Sequence, residues 1–213
     1  MAYREPYFNH YRPGGEFRQL IKTLAPVNTA VIAVNVIAFI VLEIMGDTEN
    51  SLFMLEHGAA YAGLIFDGHE YWRLLTSMFL HFGVRHIFNN MLVLAFVGDR
   101  LEKTVGKWRY IVIYFGGGII GGFISALIDY RAEAIYISAG ASGAVFAVVG
   151  ALAWILIINR GRLKDISMFQ IVMFILFSFY LGFQGGGVDN AAHVSGLISG
   201  FILSAILCRR RFY

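Results

Sequence analysis

One cysteine among 213 residues removes two chemistries at once. Cys208 has no second thiol in the chain for a disulfide, and no histidine stands near it to make a catalytic thiol. Lipidation of Cys208 has no further support. Charge is also scarce. Only 15% of residues are charged while 58% are hydrophobic, and the mean hydropathy is +0.65, which excludes an ordinary soluble domain. Residues 1–24 lack an apolar stretch long enough for a signal-peptide h-region, so no signal peptide is expected. No internal repeat stands out, and the chain lacks the paired, broken spans that point to a transporter.

What is present is a series of uncharged runs at 23–42, 110–128, 134–159, 166–188 and 190–208, with a shorter one at 86–98. Each long run is near the ~20 residues a membrane helix needs. We read six spans, roughly 26–45, 82–98, 109–128, 138–158, 166–183 and 190–208. The expected fold class is all-α: a polytopic, six-transmembrane-helix bundle. It divides into a cytoplasmic segment 1–24, a membrane domain 25–208 and a short basic tail 209–213. The leading segment is expected either to skim the membrane as an amphipathic stretch or to stay solvated.

Basic residues fix the orientation. Arg4, Arg12, Arg18 and Lys22 precede the first span; Arg100, Lys103, Lys107 and Arg109 separate the second and third. Arg160, Arg162 and Lys164 follow the fourth, and Arg209, Arg210 and Arg211 follow the sixth. These are 14 of the 17 Lys and Arg, all on one side. Both termini are therefore expected in the cytoplasm, in a multi-pass protein of a bacterial plasma membrane. The basic balance is met by anionic headgroups and needs no nucleic acid. The stretch 46–80, with Phe53, Tyr61, Phe66, Tyr71 and Trp72, is expected to lie in the outer interface.

Against this background the polar residues inside the spans are informative, because hydrocarbon penalises them. With the amino terminus inside, the second, fourth and sixth spans all enter from outside. His86 and Asn90 lie a few residues into the second, Ser142 about four into the fourth, and His193 about three into the sixth. At 1.5 Å rise per residue these groups share a depth of roughly 5–12 Å below the outer boundary. A channel or transporter would instead carry polar groups through the whole bilayer.

A serine needs a base, and neutral histidine is the commonest one. Acyl transfer also needs donors aimed at a developing oxyanion. His86 and Asn90, four apart, share a helical face and can both donate. The Ser142 N–H, in the first turn of a helix, is a third donor. Small residues at Gly116, Gly117, Gly118, Gly121 and Gly122, at Gly143, Ala147 and Gly150, and at Gly196 and Gly200 allow close helix approach, bringing Ser142 towards His193. A metal held by His81, His86 and His193 is the rival chemistry. The spacing of five separates His81 from His86 around a helix, and no Cys, Asp or Glu stands nearby as a further ligand. Asp189, four before His193, either orients the imidazole or caps the sixth helix; Val-Asp-Asn at a span entrance is a good cap context.

The run Tyr71-Trp72-Arg73-Leu-Leu-Thr-Ser-Met-Phe-Leu-His81, then His86-Ile-Phe-Asn-Asn90-Met91, Gly140-Ala-Ser142-Gly143 and Asn190-Ala-Ala-His193-Val-Ser-Gly196 resembles the rhomboid intramembrane serine proteases. The resemblance covers about residues 25–208. It implies a Ser142–His193 dyad without a catalytic aspartate, an oxyanion hole from His86, Asn90 and the Ser142 amide, and no cofactor. The substrates it implies are transmembrane segments of single-span proteins. Around these stand His81, Gly140 and Gly143, with Trp72-Arg73 matching a structural motif of the first loop. Two departures are Phe146, where tyrosine is frequent and where the ring can still stack on the imidazole, and Ser195, where glycine is common and where the hydroxyl is expected to crowd a helix contact. A catalytically inert relative that binds membrane helices for quality control is the alternative; such relatives typically lack the serine or the histidine, and this chain has both. Gln184 to Val188, with three glycines, is expected either as a moving cap over the site or as a simple connector.

Overall fold

The computed structural model describes residues 25–163, 166–185 and 188–209. The segment 1–24 and the tail from Arg210 lie outside the described residues, as do Gly186 and Gly187 of the expected cap. Among the described residues six long helices carry the fold: α1 (Pro26–Met45), α2 (Gly83–Val105), α3 (Lys107–Arg131), α4 (Ser142–Ile158), α5 (Met168–Gly185) and α6 (Asn190–Leu207). Among the described residues α1, α3 and α6 are long and apolar enough to cross a membrane by themselves. The helical stretch Arg73–Phe79 meets α2 at 92°, and α4 is a shorter apolar helix.

α4 is the centre. Gly143 through Leu152 are all buried, which accounts for a helix that is apolar on every side. Its contact with α6 is backbone on backbone. A Cβ at Gly196 would land on the Gly143 carbonyl, one at Gly200 on the Ala147 carbonyl, and one at Gly150 on the Leu197 carbonyl. α3 joins the same packing: a Cβ at Gly121 would stand 3.1 Å from the Gly196 backbone, and one at Gly117 would collide with Ala147. Lipid offers no hydrophobic drive between helices, so this proximity is what dispersion can use. Ser195 faces α3, not α4. Its hydroxyl donates to the carbonyls of Gly121 (3.1 Å) and Ala191 (2.5 Å), so it bonds across the contact of α6 with α3.

The end of the bundle at which α1 starts is tied together by side chains distant in sequence. α1 starts with Pro26 and leaves N–H groups that its own turn cannot satisfy. The Ala25 N–H donates to Asp99 (3.1 Å), that of Val27 to Glu102 (3.1 Å), and that of Asn28 to Glu102 (2.7 Å). Glu102 is buried there despite its charge. Asn28 in turn donates to the Leu94 carbonyl (2.8 Å) and accepts from Tyr110 Oη (2.6 Å). Leu94 opens a π-helical turn, Leu94–Gly98, in the middle of α2. A side chain at Gly98 would displace Asn28.

The loop between α1 and α2 folds onto its own backbone. Asn50 accepts from the Leu52 and Phe53 N–H groups and starts the short helix Ser51–Glu56. Arg73 donates to the Leu55 and Ala59 carbonyls at 2.7 and 2.9 Å and pairs with Glu70, while its guanidinium lies 4.6 Å from the Trp72 ring centroid. Two residues of this loop, β1 (Ala60–Tyr61), pair antiparallel with β2 (Ile137–Ser138), so that Ala60 faces Ser138. A second two-residue ladder joins β3 (Arg162–Leu163) to β4 (Ile166–Ser167).

Candidate active site

Ser142 is the first residue of α4, at the end of a short loop leaving β2. Gly140 has φ +143°, a region that side-chain-bearing residues rarely enter, and its N–H donates to the Ser77 carbonyl at 2.9 Å. The space a Cβ would fill there is occupied. It would stand 2.7–2.8 Å from Cε1 and Nε2 of His86 and 3.6 Å from Ser142 Oγ. The His86 ring edge and the serine hydroxyl therefore lie against the same glycine. The next N–H, of Ala141, donates to Nε2 of the fully buried His81 at 3.3 Å, and the His81 and His86 rings meet edge-on at 5.2 Å. Thus two histidines bracket the loop that presents Ser142.

One turn along α4 from Ser142, the Phe146 ring stacks on the imidazole of His193 at 4.3 Å and 17°. Phe179 of α5 approaches the same imidazole edge-on at 6.5 Å. A Cβ at Gly143 would meet Ala192 at 3.7–3.8 Å, so the residue after the serine adjoins the residue before the histidine. His193 is buried, and its Nδ1 has no hydrogen-bond partner. Asn90, also buried and one turn after His86, holds an unpartnered Nδ2. A buried amide that has forgone its bonds is costly, and a site for a developing charge is one explanation of that cost.

Asp189 caps α6. Its Oδ1 accepts from the Ala192 N–H (2.8 Å) and from Ser125 Oγ of α3 (2.6 Å), and its Oδ2 accepts from Ser138 Oγ of β2 (2.8 Å). Of the two roles considered for Asp189, the cap is the one its bonds describe. The links to Ser125 and Ser138 were missed in the sequence. A signal existed, since Ser138 precedes Ser142 by four just as Asp189 precedes His193 by four. Beside Ser142 lies a cavity of about 40 Å³, lined by Ser125, Asp129, Tyr136, Ser138 and Asp189 among others. At ~10–15 Å³ per water it has room for about three. Burial, then the nearby Asp189 and Asp129, pushes the Tyr136 phenol up to about 12, so it stays a neutral group on the cavity wall.

The Rhomboid domain family model matches residues 68–210, a stretch holding every one of these groups. The chain belongs to the rhomboid family. Similar to this rhomboid are Rhomboid protease GluP of Bacillus subtilis (strain 168), 37% identical over 176 residues, and RHOMBOID-like protein 1 of Arabidopsis thaliana, 35% identical over 170. The alignments cover 83% and 77% of this chain but 34% and 41% of those proteins. RHOMBOID-like protein 5 of the same plant is 35% identical over 158 residues, 73% of this rhomboid and 50% of its own length. This rhomboid thus spans between about a third and a half of the length of these relatives. It is an integral membrane member of a family that includes proteins named proteases.

Proposed function

We propose that this rhomboid is an intramembrane serine endopeptidase that cleaves transmembrane or juxtamembrane segments of single-span proteins. The observation that carries the reading is Ser142 at the head of α4 with His193 stacked on Phe146 one turn further along. In the first step Ser142 Oγ attacks the scissile carbonyl while His193 takes its proton. The oxyanion is met by donors of His86, Asn90 and the Ser142 N–H, the last favoured by the positive end of α4. Collapse expels the amine, protonated by His193, and leaves an acyl ester on Ser142. A water, deprotonated by His193, then hydrolyses the ester and restores the serine. No cofactor enters this scheme. Residues 25–208 form the working domain, His81, Gly140 and Gly143 shape the serine loop, and Trp72-Arg73 hold the first loop. Both termini face the cytoplasm, in a bacterial plasma membrane, so the site opens outward.

A fluorophosphonate probe tests the reading by forming a covalent bond to an activated serine. The protein in liposomes should label, and Ser142→Ala should not. Absence of labelling in the wild type would favour the inert helix-binding alternative.

A further inference from the structure

The serine and the histidine sit on different helices, α4 and α6, whose register is set by close backbone packing. A second link joins the segments that lead into them. Ser138 lies four residues before Ser142 and Asp189 four before His193, and the two side chains are joined at 2.8 Å. Neither arm has much slack. β2 is paired to Ala60 of the first loop, and the Gly140 N–H between it and Ser142 is fixed to Ser77. On the other arm, Asp189 is bonded to the Ala192 N–H immediately before His193 and to Ser125 of α3. We infer that Asp189 is a positioning residue for the proposed dyad, acting through Ser138 to hold Ser142 in register with His193. This rests on the proteolytic reading above. A simple helix cap needs only the bond to Ala192; the second carboxylate oxygen, spent on Ser138, is what the inference explains.

The test separates the two bonds. Ser138→Ala removes the cross-link and leaves the cap, whereas Asp189→Ala removes both. Asp189→Asn keeps an oxygen for Ala192 and Ser125 and offers Ser138 a donor. With a transmembrane peptide substrate in liposomes, Ser138→Ala should lower kcat about tenfold with KM unchanged, since reacting groups displaced by ~1 Å can lose ~10²-fold. Asp189→Ala should fall at least as far, and the double variant no further than Asp189→Ala, because the pair shares one interaction. Asp189→Asn should stay within about threefold of wild type, its amide replacing the lost acceptor by a donor. Thermal melts check that each variant is folded. If Ser138→Ala turns over at the wild-type rate, or if it changes KM alone, Asp189 is a cap only and the inference falls. A wild type that neither cleaves nor labels overturns the proteolytic reading and this inference with it; labelled wild type with an unaffected Ser138→Ala sinks the inference alone.

Discussion

Phe146 lies flat against His193 and one turn from Ser142, so a single ring sets both the tilt of the imidazole and its height on α4. If Ser142 and His193 form the proposed dyad they act as one unit, and removing either should cost nearly as much as removing both. His193→Ala should be as inactive as Ser142→Ala in a cleavage assay, with the double variant no worse. A double variant far below both singles would show two independent contributions. Asn90→Ala should lower kcat by on the order of 10–10³-fold if one of the proposed oxyanion donors is lost with it. Unchanged turnover would make Asn90 a helix-packing residue. Ser142, His193 and Asn90 stood out in the sequence because polar groups are conspicuous in apolar spans. The role of Asp189 was only half legible: the cap follows from its position before α6, whereas its bonds to Ser125 and Ser138 join segments distant in sequence, for which the matched spacings of four were the one hint.

At the scale of helices, the contacts of α4 with α6 leave no room for a methyl group at three glycines, while other glycines have space. Gly200→Val should destabilise the protein by about 3 kcal/mol or more, because overpacking against a carbonyl cannot be relieved by a rotamer. Gly122→Ala, whose new Cβ would meet only Leu74 at 3.8 Å, should be neutral or stabilising by up to ~1 kcal/mol. Melting both variants in detergent checks the contrast; equal losses would contradict it. Span positions were readable from charge spacing, and α1 falls on 26–45 as expected. The ends of others were not. α4 begins at Ser142 instead of 138 because the preceding residues form β2 and the Gly140 turn. α2 runs on to Val105 because Asp99 and Glu102, which end an uncharged run, are spent on the start of α1.

For the whole molecule, alternating sides of the loops predict a labelling pattern. On a Cys208→Ala background, Ile135→Cys, at a residue 87% exposed, should react with an impermeant maleimide from outside intact cells. Gly161→Cys should react only after the membrane is opened; the reverse would invert the orientation. The expected orientation was read from loop charges, which act one by one. The seal at the start of α1 was not legible, since Asn28 and Glu102 stand 74 residues apart. That separation has a consequence in time. At ~5–20 residues per second, about 4–15 s pass between synthesis of the α1 start and synthesis of its caps. Throughout that interval α1 is a newborn helix whose leading N–H groups rest on water and headgroups. Loss of Glu102 should therefore leave delivery to the membrane intact and shorten the life of what is delivered. In a pulse-chase experiment, Glu102→Ala should reach the membrane fraction as fast as wild type and then be cleared by proteolysis, whereas slowed arrival would place the defect in insertion.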